Sequence, residues 1–146
     1  MRYIVTLAAL VLSATEASCA SATPPAASAL TSRLPASVTP MSLTNDTNAV
    51  IDVNPGAENC MKKSVPRMTL RSRETWKGDL ETTADCPFSP SFDIRFDSTR
   101  SDPTYAKGTF YKRASEPWAY DPQPSRNGLR VRVIGDPRYV SAEIFY

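Results

Sequence analysis

The strongest pattern in this chain is an alternation of apolar and polar side chains toward its C-terminal end. Residues 92–96 alternate between large apolar and charged side chains, which predicts a half-buried β-strand. The same period of two recurs over residues 129–133 and 140–146. A Gly-Asp-Pro sequence at 135–137 separates these two segments and is typical of a turn, so we expect them to form a C-terminal β-hairpin.

Shorter segments of the same kind occur at residues 50–53, 68–70 and 108–112, and prolines interrupt the connections between them. No segment of convincing length shows the 3.6-residue period of an amphipathic helix. The pattern therefore predicts an all-β fold, a small antiparallel β-sandwich or an open barrel. Because the last alternating segment ends at Tyr146, its strand is a candidate edge for pairing with a strand of a partner.

The N-terminal residues have the order of a secretory signal peptide. Arg2 precedes an apolar run of about ten residues, and small side chains follow up to Ala22. This run is too short to span a membrane, which requires roughly 20 apolar residues. We therefore predict a signal peptide at residues 1–22 that is removed on export, which places the mature protein in a secreted or periplasmic location.

Cys19 offers a second route, because a cysteine that follows small residues at the end of such a segment can carry the lipid of a bacterial lipoprotein. Ala17 and Ser18 fit that pattern, whereas Glu16 stands where an aliphatic side chain is expected. Removal of Cys19 with the signal peptide is the main prediction. Lipidation of Cys19, which would make the chain an outer-membrane lipoprotein, is the alternative.

Residues 23–44 are rich in Pro, Ala, Ser and Thr and contain no aromatic side chain. The four prolines of this segment oppose both a regular helix and a central strand, so it is predicted to be a disordered linker or tether. Apart from Tyr3, every aromatic residue lies beyond residue 75. The folded β-sandwich domain is accordingly expected at residues 45–146.

Cys60 and Cys86 remain as an even pair once the N-terminal segment is removed. In an oxidising compartment such a pair favours a disulfide. Closing a loop of about 25 residues would stabilise the folded state by roughly 3 kcal/mol if the gain is entropic. Two cysteines in a chain without histidine make a poor metal site, so we expect no metal.

The composition excludes several kinds of chemistry. The chain has no histidine, so Ser-His-Asp and Cys-His catalysis and histidine-based zinc sites are excluded. Asp93 and Asp97 share a strand face, but Arg95 lies between them and would keep both ionised. A formal net charge of +2 gives no reason to expect a nucleic-acid partner. We therefore expect no enzyme, no catalytic residue and no cofactor.

The first candidate contact surface is basic. Arg71 and Arg73 continue the polar face of a predicted strand. Arg130 and Arg132 form a second arginine row on the predicted hairpin. If both rows lay on one sheet, they would attract phosphate, lipid head groups or an acidic protein. The alternative is a solvated face whose arginines pair with acidic side chains across strands.

The second candidate surface is the segment 114–128, which is predicted to be a loop. It combines Trp118 and Tyr120 with three prolines, and a stiff aromatic loop on a β scaffold suits recognition of a protein or a glycan. The alternative is that Trp118 covers the open end of the sandwich. A sequon that begins at Asn45 would carry a glycan only in a eukaryotic source.

Together these features predict a secreted or periplasmic binding module without catalytic activity, which recognises a protein or a cell-envelope component. Membrane contact is expected only through a lipid anchor or as a peripheral contact. One alternative is an inhibitor or immunity protein, because stiff loops lose little order when they block an active site. Another is a lipid-binding, membrane-binding or pore-forming type of β-sandwich that uses basic and aromatic side chains.

Overall fold

The computed structural model describes residues 35–99 and 104–146, which form β-strands and turns and contain no helix. The strands of these residues build two five-stranded sheets that pack on a shared core. In chain order they are β1 (Val38–Asn45), β2 (Ile51–Asn59), β3 (Met61–Lys63), β4 (Met68–Leu70), β5 (Thr75–Thr82), β6 (Ser91–Ser98), β7 (Thr104–Tyr111), β8 (Ala119–Arg126), β9 (Arg130–Asp136) and β10 (Tyr139–Phe145).

Sheet 1 has the strand order β3-β5-β1-β10-β9, and sheet 2 has the order β4-β2-β6-β7-β8. In sheet 1, β1 and β10 pair in parallel, with Met41 opposite Val140. The other strand pairs in the described residues are antiparallel. Strands from the two ends of the folded chain therefore lie side by side in the middle of sheet 1.

The core lies between the sheets, and most of the long strands contribute alternate side chains to it. In β6 the residues Phe92, Ile94 and Phe96 are buried, while the charged residues between them are exposed. Phe92 stacks on Phe110 of β7 with the ring centroids 5.1 Å apart. Burial of a side chain of this size stabilises the fold by roughly 1.5–3 kcal/mol. The alternation that predicted the strands thus also selects the core.

The predicted all-β sandwich, the strand at 92–96 and the C-terminal hairpin are confirmed. β9 and β10 pair from Asp136 opposite Tyr139 to Arg130 opposite Phe145. A two-residue turn at 137–138 joins them. Asp136 stabilises this turn, because its carboxylate accepts a hydrogen bond from the backbone N–H of Arg138 at 2.8 Å.

The predicted disulfide is also confirmed. Cys60 and Cys86 are bonded, with their Cα atoms 5.7 Å apart. Cys60 lies between β2 of sheet 2 and β3 of sheet 1, and Cys86 lies between β5 of sheet 1 and β6 of sheet 2. The bond therefore joins two connections that both cross from one sheet to the other.

The predicted boundary between linker and domain is too late in the chain. Residues 38–44, assigned to the linker, form most of β1, which is the central strand of sheet 1. Pro40 is tolerated because the pairing of β1 with β10 begins only at Met41, so β10 needs no backbone donor from the proline. Met41 and Leu43 face the core. The stability gained by burying them outweighs the tendency of this proline-rich segment to stay irregular.

The expectation that the C-terminal strand forms an edge is wrong as well. β10 lies between β1 and β9, so both of its sides are paired. The edge of sheet 1 next to it is β9. The predicted signal peptide at 1–22, Cys19 and residues 23–34 of the predicted linker lie outside the described residues. No helix within 35–99 and 104–146 is long and apolar enough to cross a membrane.

Gly135 of β9 provides a test of how closely sheet 1 approaches the segment that precedes β8. A Cβ atom at this position would fall on the carbonyl oxygen of Trp118, well inside van der Waals contact, and 3.3 Å from Cβ of Pro117. We expect Gly135→Ala to destabilise the fold by about 3 kcal/mol, because a backbone oxygen cannot rotate away. Denaturant unfolding measures this loss.

Gly128→Ala is the matched control. Gly128 has a φ of 78° but open space around its Cα, so only backbone strain of about 1 kcal/mol is expected there. Equal losses in the two variants would contradict the close approach at Gly135.

Candidate binding surfaces

Trp118 is a core residue in this structure. Only 2% of its surface is exposed, and its ring centroid lies 5.9 Å from that of Phe92 at a tilt of 57°. Its indole Nε1 is buried without a hydrogen-bond partner among the described residues. The interpretation that Trp118 offers an exposed ring for binding is therefore corrected. The large apolar indole gains more from burial beside Phe92 than from solvent contact.

The segment 119–126, predicted to be part of a loop, is strand β8 at the edge of sheet 2. Pro122 and Pro124 favoured the loop prediction, but prolines oppose a strand only where a backbone donor is required. On an edge strand, one set of backbone N–H groups points to solvent, and a proline can occupy those positions. Pro122 and Pro124 thus stiffen an edge strand rather than a recognition loop.

Tyr120 lies on β8 with its ring tilted against Phe110, at 4.9 Å between centroids. The ring also covers Gly108, where an added Cβ would lie 2.5 Å from its Cζ. Burial of the phenol, assisted by the nearby carboxylate of Asp121, raises its pKa from 10 to about 12. Tyr120 is thus half-buried and protonated at neutral pH, and it contributes mainly to the packing of sheet 2.

The two predicted arginine rows do not share a face. Arg71 and Arg73 lie in the turn between β4 and β5, whereas Arg130 and Arg132 lie on β9 in sheet 1. The premise of a single basic surface is therefore wrong. The strand that carries the first row ends at Leu70, so Arg71 and Arg73 do not continue its face.

Two of the four arginines pair with carboxylates, as the alternative interpretation expected. Arg132 binds Glu143 across the β9–β10 pair, with Nε 3.0 Å from Oε2, and its guanidinium lies 5.6 Å from the ring centroid of Phe145. Arg73 forms an ion pair with Asp46. Exposed pairs of this kind contribute below about 1 kcal/mol each. These ion pairs hold their side chains in place, and because the charges are already matched, they attract a charged partner only weakly.

The sequon at Asn45 is a structural element. Asn45 is fully buried, and its Nδ2 donates to the carbonyl oxygens of Ala49 at 2.7 Å, Leu70 at 3.0 Å and Arg71 at 2.9 Å. Its Oδ1 accepts from the backbone N–H of Thr47 at 3.0 Å and from the Thr47 hydroxyl at 2.7 Å. A glycan on this nitrogen cannot coexist with the fold. The hydrogen bonds of Asn45 and Thr47 instead connect this turn to Leu70 and Arg71, and we call this set of contacts the bracket.

The outer face of sheet 2 is densely charged, and several of its charged side chains bind each other or nearby polar groups. Arg95 binds Asp97, with Nε 2.8 Å from Oδ1, and its guanidinium lies 4.4 Å above the ring of Tyr105. Asp97 also accepts from Asn54 at 3.1 Å. The hydroxyl of Thr109 donates to Asp93 at 2.6 Å. A partner would have to desolvate groups that are already paired, so this face is poorly suited to binding.

The outer face of sheet 1 has the opposite character. Three large hydrophobic side chains project from it with more than two fifths of their surface exposed: Val38 (64%), Ile134 (54%) and Tyr139 (48%). Pro40 is exposed on the same face. We call these four residues the apolar patch. Ser42 and Ser141 lie beside it and hydrogen-bond to each other at 3.2 Å.

A shallow groove of about 400 Å³ runs along this face between β5, β1 and β10. Pro40 and Tyr139 lie on its apolar side, and Lys77 and Asp79 lie on the strand opposite. Small serine side chains leave the groove open in the middle. The face therefore combines apolar contact area with charges of both signs at its margin.

The apolar patch was not among the predicted surfaces, although the sequence contains a signal for it. Ile134 and Tyr139 occupy strand positions whose neighbours of the same parity, such as Arg132 and Ser141, are polar and face solvent. An apolar side chain at a solvent-facing position of a strand indicates a contact surface. Val38 and Pro40 were missed because their segment was assigned to the linker.

Within the described ranges, no group of three or more His, Cys, Asp or Glu side chains could hold a metal ion. A comparison with known protein families finds no family that matches the chain, and no curated protein is significantly similar to it in sequence. The surfaces of this structure are therefore the basis on which its function is inferred.

The role of Asn45 can be tested by Asn45→Asp, which keeps the size of the side chain and removes its amide donor. The carbonyls of Ala49, Leu70 and Arg71 would lose this partner while they remain near a carboxylate. Since each unsatisfied buried group costs about 1–3 kcal/mol, we expect a loss of at least about 3 kcal/mol in urea unfolding.

Asn59→Asp is the control for that experiment. Asn59 is exposed and makes one side-chain hydrogen bond, to the carbonyl of Ser89 at 3.1 Å. Its loss is expected to stay below about 1 kcal/mol. A similar small loss in Asn45→Asp would show that the bracket is dispensable.

Tyr120 predicts how stability depends on alkaline pH. Because its folded pKa of about 12 exceeds the ordinary value of 10, the folded state holds the phenol proton more tightly than the unfolded chain. This contribution is fully present below pH 10 and is lost as the pH rises toward about 12. Tyr120→Phe should therefore reduce the fall in unfolding free energy over this range, measured by urea unfolding. An equally steep fall in the wild-type chain and in Tyr120→Phe would contradict the assignment.

Proposed function

We propose that this chain is a secreted or periplasmic binding module without catalytic activity, and that it recognises a protein partner through the outer face of sheet 1. The single observation that carries this proposal is the apolar patch beside an open groove on the outer face of sheet 1. Contiguous apolar side chains at solvent-facing positions are costly in water unless another surface covers them.

The composition of the face favours a protein partner. Protein interfaces combine an apolar, aromatic centre with a polar rim. The patch supplies Tyr139, Ile134, Val38 and Pro40 at its centre, and Lys77 and Asp79 supply charges of both signs at the margin. A lipid surface would instead favour a concentration of positive charge, and the arginine rows of this chain lie apart.

The disulfide supports the extracytoplasmic part of the proposal. The bond between Cys60 and Cys86 is consistent with an oxidising compartment. Cleavage of the predicted signal peptide and the fate of Cys19 belong to the same proposal. An intact mass of the exported protein distinguishes a chain that begins near residue 23 from a lipid-modified chain that begins at Cys19.

The rigidity of the face supports recognition rather than catalysis. The groove is built on paired strands, and β1 at its centre is paired on both sides. Its side chains therefore lose little conformational freedom when a partner docks. The groove contains one lysine and one carboxylate near serine hydroxyls, but no histidine exists in the chain to serve as a base near neutral pH.

The test is capture of a stoichiometric partner from the extracytoplasmic fraction of the source, followed by measurement of its affinity for variants. Tyr139→Ser removes the aromatic ring from the centre of the patch and is expected to weaken binding at least tenfold, as for a central aromatic contact. Hydrogen exchange should show protection of β1 and β10 in the complex.

Phe88→Ser is the matched control, because Phe88 is 66% exposed but lies outside the strands of sheet 1. It should bind like the wild-type chain. If Phe88→Ser lost as much affinity as Tyr139→Ser, or if Tyr139→Ser lost none, the assigned face would be wrong. Recovery of a polysaccharide or lipid instead of a protein would contradict the partner class.

A further inference from the structure

We propose that two copies of this chain associate through their β9 strands, which pair antiparallel and join the two copies of sheet 1 into one continuous sheet. This inference goes beyond the proposed function, since it concerns the backbone edge of sheet 1; Ile134 is the one residue of the apolar patch that lies on this edge strand. It can be tested on the protein alone.

The described residues contain four edge strands, β3, β4, β8 and β9, which differ in how readily each could pair with a strand of another chain. β3 and β4 have three residues each, which is too short to template a long partner strand. β3 also carries Lys62 and Lys63 and pairs irregularly with β5. β8 contains Pro122 and Pro124, and its pairing with β7 is interrupted by a register shift. Three edges thus carry features that oppose pairing with another chain.

β9 carries none of these features. It has seven residues and no proline, and it pairs with β10 without a register shift. No backbone hydrogen bond from another described element reaches it. An edge that is long, regular and apolar at alternate positions is a template for another strand.

The hairpin turn indicates which backbone groups of β9 are available. A two-residue turn makes Asp136 and Tyr139 the hydrogen-bonded pair that closes the hairpin. The backbone groups of Asp136 and of every second residue before it therefore point to β10. Those of Val131, Val133 and Gly135 point to the free edge.

Charge complementarity selects a second copy as the occupant. In an antiparallel pair with its twofold axis at Val133, Arg130 of each copy lies opposite Asp136 of the other. Neither Arg130 nor Asp136 has an ion-pair partner among the described residues of its own chain. The symmetric register thus forms two interchain ion pairs from charges that the single chain leaves unmatched.

The apolar positions fit the same register. Val133 would face Val133 of the second copy on the inner side of the sheet. On the outer side Ile134, which is 54% exposed, would pack on the aliphatic stem of Arg132 of the second copy. Arg132 itself stays paired with Glu143 of its own chain, so no charge is left without a partner.

Pairing of β9 with a second copy would also cover an apolar pocket beside this strand. It has a volume of about 230 Å³, lies between β8 and β9, and is lined by Tyr120, Leu129 and Val131 among others. The edges of β8 and β9 leave this pocket open in the single chain. A strand added next to β9 would extend sheet 1 across its mouth.

The experiment measures the association state of the disulfide-bonded protein by sedimentation over a series of concentrations. Arg130→Asp places like charges opposite each other at both ends of the pairing, and so does Asp136→Arg. Each variant alone is expected to raise the dimer dissociation constant at least about tenfold. Each should keep the far-ultraviolet circular dichroism of the wild-type chain.

Mixing the two variants is the decisive step. In a mixed pair, the register places opposite charges at both ends again, so heterodimers should form with roughly the affinity of the wild-type dimer. Arg126→Asp, a change of an exposed arginine at the end of β8, is the matched control and should dimerise like the wild-type chain.

Three results would overturn the proposal. One is a wild-type chain that stays monomeric up to about 1 mM, where even a weak association would be half-formed. The second is a dimer that neither single variant weakens, which would place the contact elsewhere. The third is a pair of variants that fail separately and also fail when mixed, although both remain folded.

Discussion

The buried carboxamide of Asn45 holds together the end of the sandwich at which the two sheets are linked. Asn45 ends β1, the central strand of sheet 1, and its side chain bonds the carbonyl of Leu70 on β4 of sheet 2 at 3.0 Å. Its backbone N–H donates to Glu74 at 2.9 Å, and its carbonyl accepts from Arg73 at 2.9 Å. One residue thus fixes the ends of strands in both sheets. A buried amide that fulfils its hydrogen-bonding capacity in this way specifies one arrangement of the loops.

The hydrogen bonds of Asn45 help to hold β1 in place, and the outer face of sheet 1 depends on the position of β1. The apolar patch depends on β1 lying between β5 and β10, because Pro40 and Val38 come from β1 while Tyr139 comes from β10. At the opposite end of the sandwich, the disulfide joins the β2–β3 and β5–β6 connections. Sheet 1 is therefore tied to sheet 2 at both ends of the sandwich, through Asn45 at the end of β1 and through the disulfide beyond the end of β5.

Alternation in the sequence was sufficient to predict the strands whose two faces differ most. β6 and the β9–β10 hairpin place apolar side chains on one face and charged side chains on the other, so period two identifies them directly. The disulfide followed from the cysteine count, because only one pairing remained. These inferences needed local information alone.

The missed elements depend on tertiary contacts. β1 contains Pro40 and lies in a segment of linker-like composition, and only its pairing with β5 and β10 makes it a strand. β8 reads as a loop because its prolines are acceptable only at a sheet edge, and the sequence does not state which strands are edges. Trp118 was a candidate contact residue, and coverage of the open end of the sandwich was its alternative. Its burial requires Phe92, which is distant in the chain and adjacent in the fold.

The difference between the outer faces of the two sheets is the reason why our proposal places the partner on sheet 1. On sheet 2, Asp97 already binds Arg95 and Asn54, so a docking surface would have to displace water from paired charges and gain little in return. On sheet 1 the centre of the face consists of Tyr139, Pro40 and serine hydroxyls that bond to each other. Covering these groups removes apolar area from water without separating an ion pair. Sheet 1 thus carries the apolar area that our proposal assigns to a partner, and β9, an edge of the same sheet, is a long edge strand without a proline or a register shift.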